Sequence, residues 1–405
     1  MDTAATTAAP TALQSTGGDL RLAVAVAEAI PALEAIELLG PEWTALAGEA
    51  SEPNAYAESW FVDPGLRRLA PPGEVRMLAV RQGGRLDGLL PLWIAPRYGR
   101  MPVRHVENWL HPHCLLGTPL VRAGQEQAFW AAALAALDGA GWAPAFLHVS
   151  GLVDQGPVHR GLIAAARALG RPCDTVHRTR RALLASGLSP QAYYETNVRK
   201  KKRKELKRLR ARLAEQGELR FRALAAGDDL GAWSDSFLAI ERSGWKGRSG
   251  SALASTPEGE AFFREVLAGA HAAGRLQFLR LDLDGRPLAM LVNFLTPPGS
   301  FSFKIAFDEA FARFSPGVLI ELENLRVLEH PDIAWMDSCA VEDHPMIDSL
   351  WSGRRSLVRV TVPLAGLRRR ALFQICRTAE NGSAALRRLL ASPPAPGPED
   401  SRDDD

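Results

Sequence analysis

Two hydrophobic periods alternate along the chain, and the places where the period changes mark out the elements. Residues 20–30 alternate weakly, and residues 42–47, around Trp43, begin a short helix. Apolar runs at 75–80 and 86–94 flank Gln82-Gly83-Gly84, the pattern of a strand hairpin. Phe129, Leu134 and Leu137 form one stripe of an alanine-rich helix over 125–139. A buried strand at 145–149 and a helix over 157–170, closed by Gly170, follow. The second half opens on a helix over 197–216, capped by Thr196 or Asn197, with Leu206, Leu209 and Leu213 as a narrow apolar seam. After a strand at 219–224 come helices over 230–242 and 257–273, the second with Thr256 as cap and Pro257 in its first turn. Strands at 276–283, 288–295 and 301–307 are divided by Asp284-Gly285 and Pro297-Pro298-Gly299, which predicts an antiparallel meander. Ser315-Pro316-Gly317 then starts a helix to about residue 329, with further strands at 333–337 and 357–362.

The strand–helix–strand step after the meander requires a crossover, so the strands ending at Phe307 and Asp337 are expected to be parallel. The fold class is therefore α/β (α+β), with mixed central sheets flanked by helices. Gly84-Arg85 and Gly285-Arg286 each sit in a hairpin and each precede a small residue three positions after the arginine. Their offset of 201 residues suggests two copies of one α/β unit. The organisation read from this is a flexible tail at 1–19, an N-terminal half at 20–182, a linker and basic helix at 183–218, and a C-terminal half at 219–366. Basic helices at 367–390 and a disordered acidic tail at 391–405 complete it.

Charge changes the picture only locally. The chain has 405 residues, and 48 Lys/Arg against 46 Asp/Glu leave a net charge of +2, which excludes a polycationic or polyanionic protein. Residues 198–212, however, hold ten Lys/Arg and one Glu, while 391–405 hold five acids and one Arg. The basic run could grip a nucleic acid or an anionic membrane, but no aromatic residues interleave with it for base stacking. Arg368-Arg369-Arg370 before Leu372, Phe373 and Ile375 makes a second basic amphipathic patch, docked on the body or resting on a membrane surface. Four widely spaced cysteines, no basic leader and no run near the roughly 18 apolar residues of a span point to a cytoplasmic protein. His111-Pro112-His113-Cys114 has metal-ligand residue types but cramped spacing and no partner pair, so no metal is expected.

The segment FSFKIAFDEAFARFSPGVLIEL (301–322) carries the most chemistry: a strand runs into a helix start, where unpaired amides and the helix dipole suit a phosphate. With the basic helix NVRKKKRKELKRL, SGWKG, LDLDGRPLAML and DSCAVEDHPMIDSLWSGRR, together with WTAL, SWF and GLLPLWI upstream, it resembles the CelD-type (BioF-like) acetyltransferases of the GNAT superfamily, which are related to FemAB-like transferases. The resemblance covers roughly residues 42–362. It implies tandem GNAT-like folds and transfer of an acyl group, acetyl in the simplest case, from acyl-CoA to an amine in cell-envelope or exopolysaccharide metabolism. The acceptor would be a small molecule, glycan or peptide.

Carried onto this chain, the resemblance puts Phe307 against the cofactor and Arg313, Ser315, Pro316 and Gly317 at its phosphates. Only one glycine and a proline without an N–H stand where the family has several glycines, which leaves aminoacyl-tRNA open as an alternative donor. A non-catalytic binding module is the third reading. The amino half has no glycine-bearing helix start at the equivalent place and is expected to hold no donor. Amine attack needs a general base. Asp337 at a strand end, and Glu342, Asp343 and His344 after it, are the candidates. Lys304, out of step with Phe301, Phe303, Ile305 and Phe307, is read with Asp308, Trp245 and Lys246 as a substrate contact.

Overall fold

Thirteen strands join into a single mixed sheet in the computed structural model, which describes residues 25–390. The tails expected at 1–19 and 391–405 lie outside the described residues. The first half contains β1 (Val26–Pro31), α1 (Ala32–Gly48), α2 (Ser59–Arg68), β2 (Arg76–Gln82), β3 (Arg85–Ala95), β4 (His105–Asn108), β5 (Leu120–Val121), α3 (Glu126–Gly139), β6 (Phe146–Val153), α4 (Pro157–Ala168) and β7 (Asp174–Leu184). Two helices follow, α5 (Pro190–Asn197) and α6 (Lys200–Ala214). The second half runs β8 (Leu219–Ala223), α7 (Leu230–Ser243), α8 (Trp245–Arg248), α9 (Pro257–Ala272), β9 (Leu276–Leu283), β10 (Arg286–Thr296), β11 (Gly299–Phe307), α10 (Pro316–Asn324), β12 (Trp335–Asp337), α11 (Pro345–Asp348), β13 (Gly353–Pro363) and α12 (Leu367–Leu390).

The strand order β1-β2-β3-β4-β6-β13-β7-β12-β11-β10-β9-β8 reads the same from either edge as two copies of one unit. In each copy an antiparallel run ends on a parallel pair, β4 with β6 and β11 with β12. The hairpins closed by Gln82–Arg85 and Leu283–Arg286 keep the offset of 201, and so does the bulged residue beyond each turn, Asp87 in β3 and Leu288 in β10. The repeat legible in the sequence is thus a structural one. The halves at 20–182 and 219–366 nevertheless exchange their last strands: β13 lies between β6 and β7, and β7 pairs with β12. Both strands are long enough to bridge the seam, and pairing them closes two edges that would otherwise stand open.

Helices cover both faces. In the first half α3 and α4 bury Phe129, Trp130, Leu134 and Leu162 on one face, and α1 and α2 bury Leu39, Trp43 and Val62 on the other. In the second half α7 and α9 bury Phe237, Phe262 and Phe263 against Phe278, Phe294 and Phe303, while α10 lies on the opposite face over Leu281, Leu288 and Leu291. Tyr56, Phe61 and Leu116 of the first half complete the aromatic core of the second, so the halves share one interior.

Several boundaries differ from the sequence reading for local reasons. The helix around Trp43 begins at Ala32, ten residues earlier, because Ala35, Leu39, Trp43 and Leu46 form one buried stripe. The basic helix breaks at Val198, buried and extended, so Ser189 caps its own short helix and α6 starts without a side-chain cap. The helix at 316–329 is α for nine residues and 3-10 beyond Leu325. The patch at 368–370 docks on the body, with Arg369 donating to the Asp138, Ala140 and Ala143 carbonyls and Phe373 buried.

Candidate functional site

β11 outruns β12. Their parallel register stops at Phe301 opposite Asp337, so residues 302–307 have no β12 partner where α10 begins. The Asp308 amide donates to the Leu288 carbonyl (2.8 Å), and antiparallel pairing alternates, so the backbone groups of Ile305 and Phe307 face this open edge. Lys246 donates to the Ile305 carbonyl there, at 3.2 Å. Phe303 is the extra residue of a bulge, since Val292 opposes Lys304 and Asn293 opposes Ser302. A bulge leaves backbone groups unpaired and shifts the alternation by one. Phe303 and Ala306 therefore pack towards α7 and α9, whereas Ile305 and Phe307 pack towards α10. The sequence-based alternation, which set Lys304 on the face opposite Phe303, is corrected by this bulge.

In the first half the equivalent split is stitched shut. Asn108, ending β4, accepts from the Ser150 amide (2.8 Å) and donates to the Ser150 and Gly117 carbonyls (2.9 and 3.1 Å). A Cβ at Gly117 would lie 2.0 Å from the Ser150 carbonyl oxygen, so only glycine lets this segment close the gap.

At the start of α10, Ser315 takes a left-handed conformation (φ 54°) and makes no side-chain cap, contrary to the expected capping role. Its carbonyl accepts from the Val318 and Leu319 amides, and the Gly317 amide finds no acceptor among the described residues. Phe307 covers this turn: a Cβ at Gly317 would meet its ring at 3.2 Å. Arg313 is exposed, with its guanidinium over the Phe314 ring and no carboxylate partner among the described residues. A cleft of about 640 Å³ opens between α6, α10 and α11, lined by Arg199, Lys201, Lys202, Val318, Met346 and Arg354.

On the bulge face Lys304 is largely buried. Its amine lies 3.1 Å from Nδ1 of His113, which comes from the first half. Burial, then the neighbouring charge of Lys246, pulls the Lys304 amine down to about 8, against the opposing pull of Glu241. Burial and the two lysines hold His113 neutral, at about 4. Lys246 pairs with the buried Glu241 at 3.0 Å. Tyr56, ringed by Phe61, Phe294, Phe301 and Phe303, donates its hydroxyl to Cys339 Sγ at 3.3 Å. Burial and Cys339 keep that phenol protonated far above neutral pH.

The structure reassigns several residues. Asp337 is fully buried, paired with Arg181 (2.6 Å) and Arg355 (3.0 Å), and accepts from the Cys339 amide. Burial alone would raise its carboxyl; the two arginines outweigh that and hold it below the usual range. With both oxygens occupied by permanent cations, Asp337 is a structural anion and not a base. Asp343 is exposed in a left-handed turn, and Glu342 accepts from the Arg180 amide. His344 precedes α11, its buried Nδ1 unpartnered. Asp308 caps the turn after β11 through the Ala310 amide and pairs with Arg286, which occupies it structurally. Trp245 is 57% exposed, with its backbone amide held by Glu309. His113, Tyr56 and Glu241 escaped the sequence reading, although His113 stood in the stretch discounted for metal.

The sequence model of the acetyltransferase (GNAT) domain family matches residues 200–344. No curated protein matches the chain. Among solved structures, FemX is similar at 10% identity, over 83% of this chain and 97% of FemX, with a TM-score of 0.54. A conserved protein of unknown function from Bacteroides thetaiotaomicron is similar at 12% identity, over 81% and 97%, with a TM-score of 0.50. A tandem GNAT protein from the clavulanic acid biosynthesis pathway shares 21% identity over 84% and 99%, with a TM-score of 0.44. Residues 200–344 thus match an acetyltransferase (GNAT) domain, and the chain as a whole has a FemX-like fold.

Proposed function

We propose that the protein moves an acyl group, acetyl in the simplest case, from acyl-CoA to an amine at the open edge of β11. The observation that carries this reading is the six-residue overhang of β11 beyond Asp337, ending at a helix start with a free amide. An extended amide-bearing donor arm can pair with the exposed backbone groups of Ile305 and Phe307. Its phosphates would then meet the Gly317 amide, Arg313 and the basic wall of the 640 Å³ cleft.

The same geometry distributes the chemistry. A thioester carbonyl beside the bulge at Phe303 would find unpaired backbone donors. Lys304, with its amine lowered to about 8, can take the proton that the attacking amine must lose, and His113 Nδ1 holds it in place. The departing thiolate can recover that proton from the Lys304 ammonium. Attack forms the C–N bond, collapse breaks the C–S bond, and the amine's proton leaves through Lys304. The acceptor is a small-molecule, glycan or peptide amine, and family resemblance favours a cell-envelope role.

Aminoacyl-tRNA is the second reading. The basic cleft and the missing N–H of Pro316 favour it. Gly317→Val, by crowding Phe307 at this buried turn, should raise the acyl donor's KM at least about tenfold, a loss of ~1.4 kcal/mol, and lower the melting temperature by a few degrees without unfolding the protein. An unchanged KM would place the phosphates elsewhere.

A further inference from the structure

In the first half of the sheet, Val106, Leu147, Val149, Val358 and Val360 pack towards α3 and α4, so strand alternation sends Glu107, His148 and Arg359 to the opposite face. On that face, between the turn at 97–101, β4, β6, β7, β13 and α12, lies a pocket of about 820 Å³. Its base is polar. Glu107, with 25% of its side chain exposed, accepts from Ser150 Oγ through Oε1 at 3.3 Å. Its Oε2 has no hydrogen-bond partner among the described residues, His105 Nε2 standing 3.9 Å away. Beside it His148 Nδ1 meets Thr361 Oγ1 at 3.0 Å. Burial keeps both histidines neutral, His148 down at about 3. The mouth is cationic. Arg97, Arg100 and Arg359 are exposed, line the pocket and have no carboxylate partner among the described residues. The charge of Arg359 acts on both Glu107 and His148, yet pairs with neither. Glu380, the other acid of the lining, is taken by the Tyr98 hydroxyl (2.9 Å) and by Arg377. Three guanidinium groups over one carboxylate leave a surplus of two positive charges.

We propose that this pocket binds a small sugar phosphate, its phosphate on the three arginines and its hydroxyls on Glu107. A phosphomonoester near its dianionic form matches the surplus charge, and guanidinium groups present paired N–H donors to phosphate oxygens. The carboxylate at the base repels a second anion and asks for donors, which hydroxyls supply and a polyanionic backbone does not. The rings at the base are spent on one another: His105 stacks on Phe146 at 5.0 Å, and Tyr98 meets His105, Phe146 and His148 edge-on. His177 at the mouth is the exposed ring a nucleobase would use, which makes AMP the control. Met101, Val176 and Ala379 offer enough apolar wall for the carbons of a sugar ring and too little for a lipid chain. The pocket is separate from the acyl-transfer site, because Arg359 and Thr361 lie roughly 13–20 Å along β13 from Arg355, which holds Asp337. This inference does not depend on the acyl donor.

The test is calorimetric titration of the full chain with glucose 6-phosphate, mannose 6-phosphate, fructose 6-phosphate and ribose 5-phosphate, beside inorganic phosphate and AMP. At least one of the four sugar phosphates should bind at least about tenfold tighter than inorganic phosphate, and tighter than AMP. Arg359→Gln, a change at an exposed position, should weaken that ligand at least about tenfold. Glu107→Leu, with its fold checked by melting, should cancel the advantage over inorganic phosphate while inorganic phosphate itself binds no worse. Lys201→Glu with Lys202→Glu, in the donor cleft, should leave the sugar phosphate's affinity unchanged. No sugar phosphate tighter than inorganic phosphate, AMP tighter than all four, unaltered binding by Arg359→Gln, an advantage kept by Glu107→Leu, or an equal loss in the donor-cleft variant would overturn the proposal.

Discussion

Asp337→Asn is expected to lower the unfolding free energy by about 3–5 kcal/mol, the largest stability loss of any single change considered for this protein. The carboxylate is fully buried and is the shared counter-ion of Arg181 and Arg355, whose side chains are 8% and 11% exposed. Removing its charge leaves two guanidinium groups in the interior without an anion, and water cannot reach them to compensate. The cluster also fastens three strands, because Arg181 lies on β7, Arg355 on β13 and Asp337 on β12. Arg181 further donates to the Leu115 carbonyl, tying in the loop that delivers His113. The pH dependence follows from the depressed carboxyl of Asp337. Its folded value lies below its unfolded one, so the stabilisation is complete at neutral pH. It is lost only as pH falls through the folded value, below the ordinary carboxylate range. Denaturant unfolding at pH 7 and at pH 3 checks both statements: the gap between variant and wild type should be full at pH 7 and only begin to close at pH 3, by about 1 kcal/mol. Equal stability at pH 7 would remove the ion cluster from the account.

Lys304→Met is expected to lower kcat by about 10²–10⁴ while leaving the donor KM within a few-fold. The proposed mechanism uses the neutral amine of Lys304, and burial brings that amine down to about 8. Its kcat should therefore climb with pH through neutrality and level off above about 8, and the residual activity of the variant should lack that limb. The sign matters. If Lys304 instead served as an ammonium anchoring an anionic group of the acceptor, activity would fall as pH rose through the same region. Steady-state kinetics between pH 6 and 9.5 separate the two roles, and a falling limb would return Lys304 to substrate binding.

What could be read from the sequence was whatever local pattern decides. Alternation and turn chemistry locate the meander at 276–307, and Gly84-Arg85 against Gly285-Arg286 sets a repeat whose offset holds down to the bulged residue. Thr256-Pro257 starts α9 as expected, with the Thr256 hydroxyl accepting from the Gly259 amide. The exchange of β7 and β13 was not legible, because both strands read the same way in either neighbour's company. The bulge at Phe303 depends on the register with β10, so alternation put Lys304 on the wrong face. Asp337 looked like a base because its partners lie at Arg181, far upstream, and Arg355, on the next strand. Tyr56 and His113 reach the site only because the halves share a core, which no local pattern records.

The open edge of β11 as the single donor site is the centre of this account, and calorimetric titration of the full chain with acetyl-CoA tests it most directly. One site per chain is predicted, weakened by Gly317→Val and untouched by changes around Leu120–Gln125, where Asn108 and Gly117 keep the first half's split closed. Two sites per chain, or no binding up to millimolar donor, would contradict it.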